Sequence, residues 1–134
     1  MKKQICQAQP LIAVNDVKLS SRWYQKMLGC KSGHGGNEYE QLVIGDRIIL
    51  QLHAWEFEHG HHTHMGKPSM KSRGNGVLLW FLVDDFDKAL KVIKKAKVKI
   101  LENVKVNPNA QHREIWIQDP DGYVVVLASH YNDI

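Results

Sequence analysis

The sequence predicts an α+β fold in which one βαβββ unit is written twice, and three observations predict it. Two short apolar strands each run into an acidic helix start, Val14-Asn15-Asp16 and Val83-Asp84-Asp85. Each helical stretch is followed by alternating strand hairpins, closed by Gly45-Asp46 in the first half and by Asp119-Pro120-Asp121-Gly122 in the second. The order of these signals is the same in both halves. A unit this short cannot bury its own apolar face, so the copies are expected to pair into a single domain over residues 1–134. The expected architecture is two modules, about 5–55 and about 76–130, forming an open, curled mixed sheet around a cavity and joined by a connector rich in His and Gly.

The elements follow in order. Gln9 to Val14 reads as the first strand, and Val17 to Leu28 as a helix with Asp16 as N-cap and Gly29 as its left-handed stop. Leu19, Trp23 and Met27 share one helical face, with Tyr24 and Leu28 beside them, and this stripe is assigned to the core. Tyr39 to Ile44 and Arg47 to His53 alternate as a hairpin. The second copy begins with the strand Val77 to Val83 and continues as a helix from Phe86 to Ala96, capped by Asp84 or Asp85. Its apolar stripe is Phe86, Ala89, Leu90, Ile93 and Ala96. Glu114 to Gln118 and Tyr123 to Ser129 form the closing hairpin, in which Pro presets φ and Gly tolerates positive φ. Cys30 to His34 and Ile100 to Val106 each offer one further strand.

Composition excludes several classes. At 43% hydrophobic and 24% charged residues the chain is neither disordered nor membrane-spanning, since no apolar run approaches the roughly 20 residues a span requires. The basic N-terminus lacks an apolar core, and only Cys6 and Cys30 are present, which points to a reduced, cytoplasmic protein. The net charge of +4 is concentrated in Lys88, Lys91, Lys94, Lys95, Lys97 and Lys99. These fall on the outer side of the second helix without interleaved base-reading residues, so they read as a solvated face and not as a nucleic-acid patch.

Three stretches resemble the vicinal oxygen chelate superfamily of glyoxalases, extradiol dioxygenases, fosfomycin resistance proteins and bleomycin-binding proteins. They are Val14-Asn15-Asp16-Val17 with Ser21, Trp23-Tyr24 and Leu28-Gly29; Val83-Asp84-Asp85-Phe86 with Ala89; and Asp119-Pro120-Asp121-Gly122-Tyr123. The resemblance implies a glyoxalase-like fold, a homodimer, and a divalent metal held by one residue from the first and last strand of each module. Carried onto this chain, those positions are Gln9, Gln51, Leu78 and Val126. Gln51 stands for the usual Glu, Leu78 for the usual His and Val126 for the usual Glu. Two neutral amides and two aliphatic side chains offer a cation neither charge nor enough donors. The usual metal centre is therefore expected to be absent, and no cofactor is expected.

His59, His61, His62 and His64 crowd the connector, and with His53 they define an alternative metal site at His53, His62 and His64. The competing view is a polar connector with solvated imidazoles, because no carboxylate is placed to orient them. By alternation, the expected ligand-binding wall contains Gln9, Gln51, His53, Leu78, Trp80, Trp116 and Val126, with Ile115 and Ile117 turned toward the helix. His53 and Glu114 are the candidate catalytic acid–base pair. Cys30 has no neighbour to lower its pKa and reads as a buried, inert thiol.

The function expected from these residues is metal-independent binding of a small organic ligand, aromatic or apolar and neutral or anionic. The positive net charge argues against cationic bleomycin itself. The alternative is a lyase, isomerase or dioxygenase-type enzyme using the histidine-loop metal or the His53 and Glu114 pair.

Overall fold

The structure, a computed structural model, describes residues 7–55, 74 and 77–134. The chain divides into two compact units, Met1–Gln25 with Gly29–Pro68, and Lys26–Leu28 with Ser69–Ile134. The first copy of the repeat folds as β1 (Leu11–Val14), α1 (Val17–Leu28), β2 (Lys31–Ser32), β3 (Tyr39–Ile44) and β4 (Arg47–Ala54). The second folds as β5 (Leu79–Leu82), α2 (Phe86–Ala96), β6 (Ile100–Asn107), β7 (His112–Gln118) and β8 (Val124–Ala128).

Each copy makes its own four-stranded mixed sheet, and the strand orders correspond: β1-β4-β3-β2 and β5-β8-β7-β6. β1 lies parallel to β4 and β5 parallel to β8, while the remaining pairs are antiparallel. The helix between the first strand and its parallel partner is the crossover that a parallel pair requires. Neither sheet closes on itself, so β1 and β5 are edges. The α+β class with two βαβββ modules is thus observed.

Local chemistry sets the boundaries. The Asp16 carboxylate accepts from Leu19 N at 3.0 Å, and Gly29 ends α1 at φ +68°. Of the two candidate caps for α2, Asp85 fills the role by accepting from Lys88 N at 3.0 Å, while Asp84 meets His130 Nε2 at 2.7 Å. In the closing turn, Asp119 Oδ1 accepts from Asp121 N and Tyr123 N, and Gly122 takes φ +98°. That acceptor pairing makes the Asp-Pro-Asp-Gly-Tyr stretch a fixed corner leading into β8.

The buried face of α1 differs from the stripe expected of it. Val17, Ser20, Ser21, Tyr24 and Met27 are buried, Trp23 is half-buried, and Leu19 is 43% exposed. Two serines occupy the inner face because Ser21 Oγ donates to the buried Glu40 carboxylate of β3 at 2.8 Å. Ranking residues by apolar character favoured Leu19, and the polar contact decided otherwise. In α2 the expected stripe holds, with Phe86 and Ile93 each 1% exposed and the lysines outside. Apart from Glu40, the buried sheet residues on the inner side are apolar: Ile12, Val14, Leu42, Leu50 and Leu52 in the first copy, and Leu79, Ile115, Ile117, Val125 and Leu127 in the second. On the outer end of β7, Arg113 stacks on Phe86 at 4.9 Å and binds both Asp87 and Asp133, which ties the C-terminal residues to α2.

Candidate functional site

The helix-averted face of each sheet carries the side chains with chemistry. In the first unit, Leu11 pairs with Gln51 and Ala13 with His53 across β1 and β4, and Gln51 and His53 pair in turn with Gln41 and Tyr39 of β3. Period-two alternation therefore puts Leu11, Ala13, Gln41, Tyr39, Gln51 and His53 on one face. A polar ladder runs along it: Gln41 Nε2 donates to Tyr39 OH, Tyr39 OH donates to Gln51 Oε1, and Gln51 Nε2 donates to the Gln9 carbonyl oxygen at 2.8 Å. His53 is buried, with Nδ1 2.7 Å from the Ala54 carbonyl oxygen. A carbonyl only accepts, so Nδ1 carries the hydrogen in the neutral ring.

The second unit is built differently. In strand order, Trp80, Val126 and Trp116 are aligned across β5, β8 and β7, and Ala128 lies beside Leu82 and Glu114 in the adjacent row. Val126 and Ala128 are fully buried, whereas Leu78, Trp80 and Leu82 are 42%, 44% and 57% exposed. The Trp80 and Trp116 rings meet edge to face at 6.4 Å, and Trp80 also leans on the His112 ring at 5.9 Å. Lys105 is the register partner of Glu114; its Nζ stands 5.1 Å over the Trp116 ring and 2.9 Å from Glu102 Oε1.

Glu114 is the central polar group of this face. It is 2% exposed, and Oε1 accepts from Asn107 Nδ2 at 3.2 Å. Oε2 lies 3.7 Å from His112 Nε2, too far for a hydrogen bond. Glu114 Oε2, His112 Nε2 and Trp116 Nε1 are all buried without a hydrogen-bond partner among the described residues. Leaving such groups unmatched costs roughly 1–3 kcal/mol each, which a chain tolerates where a function uses them.

The expected site residues thus divide between the units. Gln9, Gln51 and His53 belong to the first, while Leu78, Trp80, Glu114, Trp116 and Val126 belong to the second. His62 and His64 lie outside the described residues, with the rest of the histidine-rich connector. Within its own unit, the imidazole beside Glu114 is His112, a residue the sequence did not single out. The expected strand began at Glu114, but pairing extends to Asn107 and His112, held by Asn107 Oδ1 accepting from Asn109 N and Ala110 N. Counting back two residues from Glu114 would have found it. Cys30 is buried, and burial pushes its thiol up to about 11.

The four positions where a metal is implied do not fit one. The Gln51 amide oxygen is already engaged by Tyr39, Gln9 is exposed and offers its backbone carbonyl to Gln51, and Leu78 and Val126 have no donor atoms.

Two βαβββ modules, each with its own open mixed sheet, define the fold class. The chain belongs to the Glyoxalase/Bleomycin resistance protein/Dioxygenase superfamily, whose family model matches residues 7–127. Similar solved structures include an integron cassette protein from Vibrio cholerae, 22% identical, covering 96% of this chain and 98% of that one at a TM-score of 0.65. A protein of unknown function from Agrobacterium tumefaciens is 21% identical, covers 96% of each chain and has a TM-score of 0.72. The fosfomycin resistance protein FosX from Mesorhizobium loti is 16% identical, covers 95% of this chain and 93% of that one, and has a TM-score of 0.66. These likenesses show the fold. No curated protein matches the chain by sequence.

Proposed function

We propose that the chain binds a small organic ligand on the helix-averted face of its second unit without a metal at the four usual family positions. One observation carries this: three buried polar atoms, on Glu114, His112 and Trp116, stand unpartnered among the described residues on one face of β7, beside the half-exposed Trp80. Aromatic walls supply contact area, and unmatched polar atoms supply orientation. Leu78 and Val126 complete the apolar wall of that face; Gln9, Gln51 and His53 are proposed as ligand contacts of the first unit's own helix-averted face. The ligand has a flat or aliphatic body and is neutral or anionic, as the net charge of +4 suggests. The protein is proposed to act as a cytoplasmic homodimer; no described helix is long and apolar enough to cross a membrane.

Tryptophan fluorescence and calorimetry against a panel of neutral and anionic aromatic compounds test this. Saturable, stoichiometric binding is expected, and silence across the panel would contradict it. Elemental analysis of untagged protein is expected to find no stoichiometric metal. Stoichiometric metal lost on changing His53, His62 or His64 to Ala would overturn the metal-independent assignment.

A second reading is a lyase or isomerase in which Glu114, with His112 beside it, moves a proton on the bound molecule; His53, the other acid–base candidate, belongs to the first unit. The unpartnered Glu114 oxygen favours it. Turnover of any panel compound that is lost in Glu114→Gln would establish it over simple binding.

A further inference from the structure

We infer that the second-unit face selects an uncharged ligand whose flat body carries an amide edge, with a hydrogen-bond donor and an acceptor side by side. This rests on the ligand role proposed for that face and names the head group it takes. Glu114 and Trp116 are two residues apart on β7 and point to the same side, over Ala128 and Val126 respectively. Among the described residues, Glu114 Oε2 is an acceptor without a donor and Trp116 Nε1–H a donor without an acceptor. His112 Nε2, 3.7 Å from Glu114 Oε2, serves as either according to its tautomer. An amide satisfies the row: its N–H donates to Glu114 Oε2, and its carbonyl oxygen accepts from Trp116 Nε1.

A carboxylate only accepts and an ammonium only donates, so neither ionic alternative matches both atoms of the row. A carboxylate-bearing ligand would bring its charge against the Glu114 carboxyl group, 2% exposed and poorly screened. An ammonium-bearing ligand could donate to Glu114 Oε2 but would leave Trp116 Nε1–H without an acceptor, and Lys105 Nζ already stands 5.1 Å over that ring. The flat body lies against the half-exposed ring of Trp80.

Three probes with one ring and different heads separate these cases: benzamide, benzoate and benzylamine, titrated by calorimetry and by the indole N–H resonance of Trp116, assigned through Trp116→Phe. Benzamide is expected to bind at least about 10-fold more tightly than either ion and to shift the Trp116 resonance. Glu114→Gln, which supplies a donor and removes the charge, is expected to raise benzoate affinity by about 10-fold and to narrow the preference. Tighter binding of benzoate or benzylamine by the wild-type chain would overturn the amide assignment and leave the ligand role standing. So would a benzamide preference unchanged in Glu114→Gln. Failure of all three probes, together with the wider aromatic panel, would remove the ligand role itself.

Discussion

Among the described residues, each copy of the repeat buries one glutamate, and the two are treated in opposite ways. Glu40 on β3 is 3% exposed and Glu114 on β7 is 2% exposed. The Glu40 carboxylate accepts from Ser21 Oγ, Ser32 Oγ, His34 N, Gly35 N and Gln41 N, all within 2.7–3.2 Å. Glu114 accepts from Asn107 Nδ2 alone, with Oε2 unmatched by any described residue. A buried carboxylate wrapped by five donors is a fastener, pinning the β2–β3 connection to α1. A buried carboxylate left half-satisfied is a group held ready. Burial alone does not tell the two apart; the inventory of partners does.

The largest effect expected is on folding through Glu40. Glu40→Ala strands the donors of Ser21, Ser32, His34 and Gly35, and should lower the unfolding free energy by about 3 kcal/mol. Denaturant melts read this directly, and a loss below about 1 kcal/mol would demote Glu40 from fastener to filler.

Acid should expose the same contrast. Burial by itself would raise the Glu40 carboxyl, but the hydrogen bonds from Ser32, Gly35, Ser21 and His34 outweigh it and hold it below its ordinary value. Because the folded value lies below the unfolded one, its stabilisation is complete above the ordinary glutamate range. It is lost as pH falls through that range toward the folded value. A wild-type stability profile that declines there, and a flatter one for Glu40→Gln, is the expected pair of curves. Identical slopes would break the assignment.

Glu114→Gln should move stability by no more than about 1 kcal/mol, in either direction, since little is bonded to the carboxylate. Smallest of all is the effect at Cys30, another of the buried titratable groups. Its thiol, pushed up to about 11 by burial, should resist iodoacetamide at pH 8 in the folded protein and react fully on unfolding. Rapid labelling of Cys30 in the native protein, distinguished from Cys6 by peptide mapping, would show that the α1–β2 corner opens.

The same contrast explains how much the sequence disclosed. Strand alternation, the Asp16 and Asp85 caps and the Asp119 corner are local signals, so the ten elements and their repeat were legible. Glu40 was not, because a charged residue inside an alternating strand reads as solvent-facing until its tertiary donors are known. Ser20 and Ser21 hid the inner face of α1 for the same reason, their value lying in what they bond and not in apolar character. Alternation alone placed Trp80, Glu114 and Trp116 on the helix-averted face of their strands. His112 was missed because Asn109-Ala110-Gln111 carries no strand preference, and the hairpin that extends β7 back to it depends on the Asn107 side chain.

The most direct measurement is equilibrium unfolding of Glu114→Gln beside Glu40→Gln in one denaturant series. If Glu114 is kept for a ligand, its variant should unfold at or near the wild-type midpoint while Glu40→Gln unfolds well below it. A Glu114→Gln loss of about 2 kcal/mol or more, matching Glu40→Gln, would contradict the account and make both glutamates fasteners.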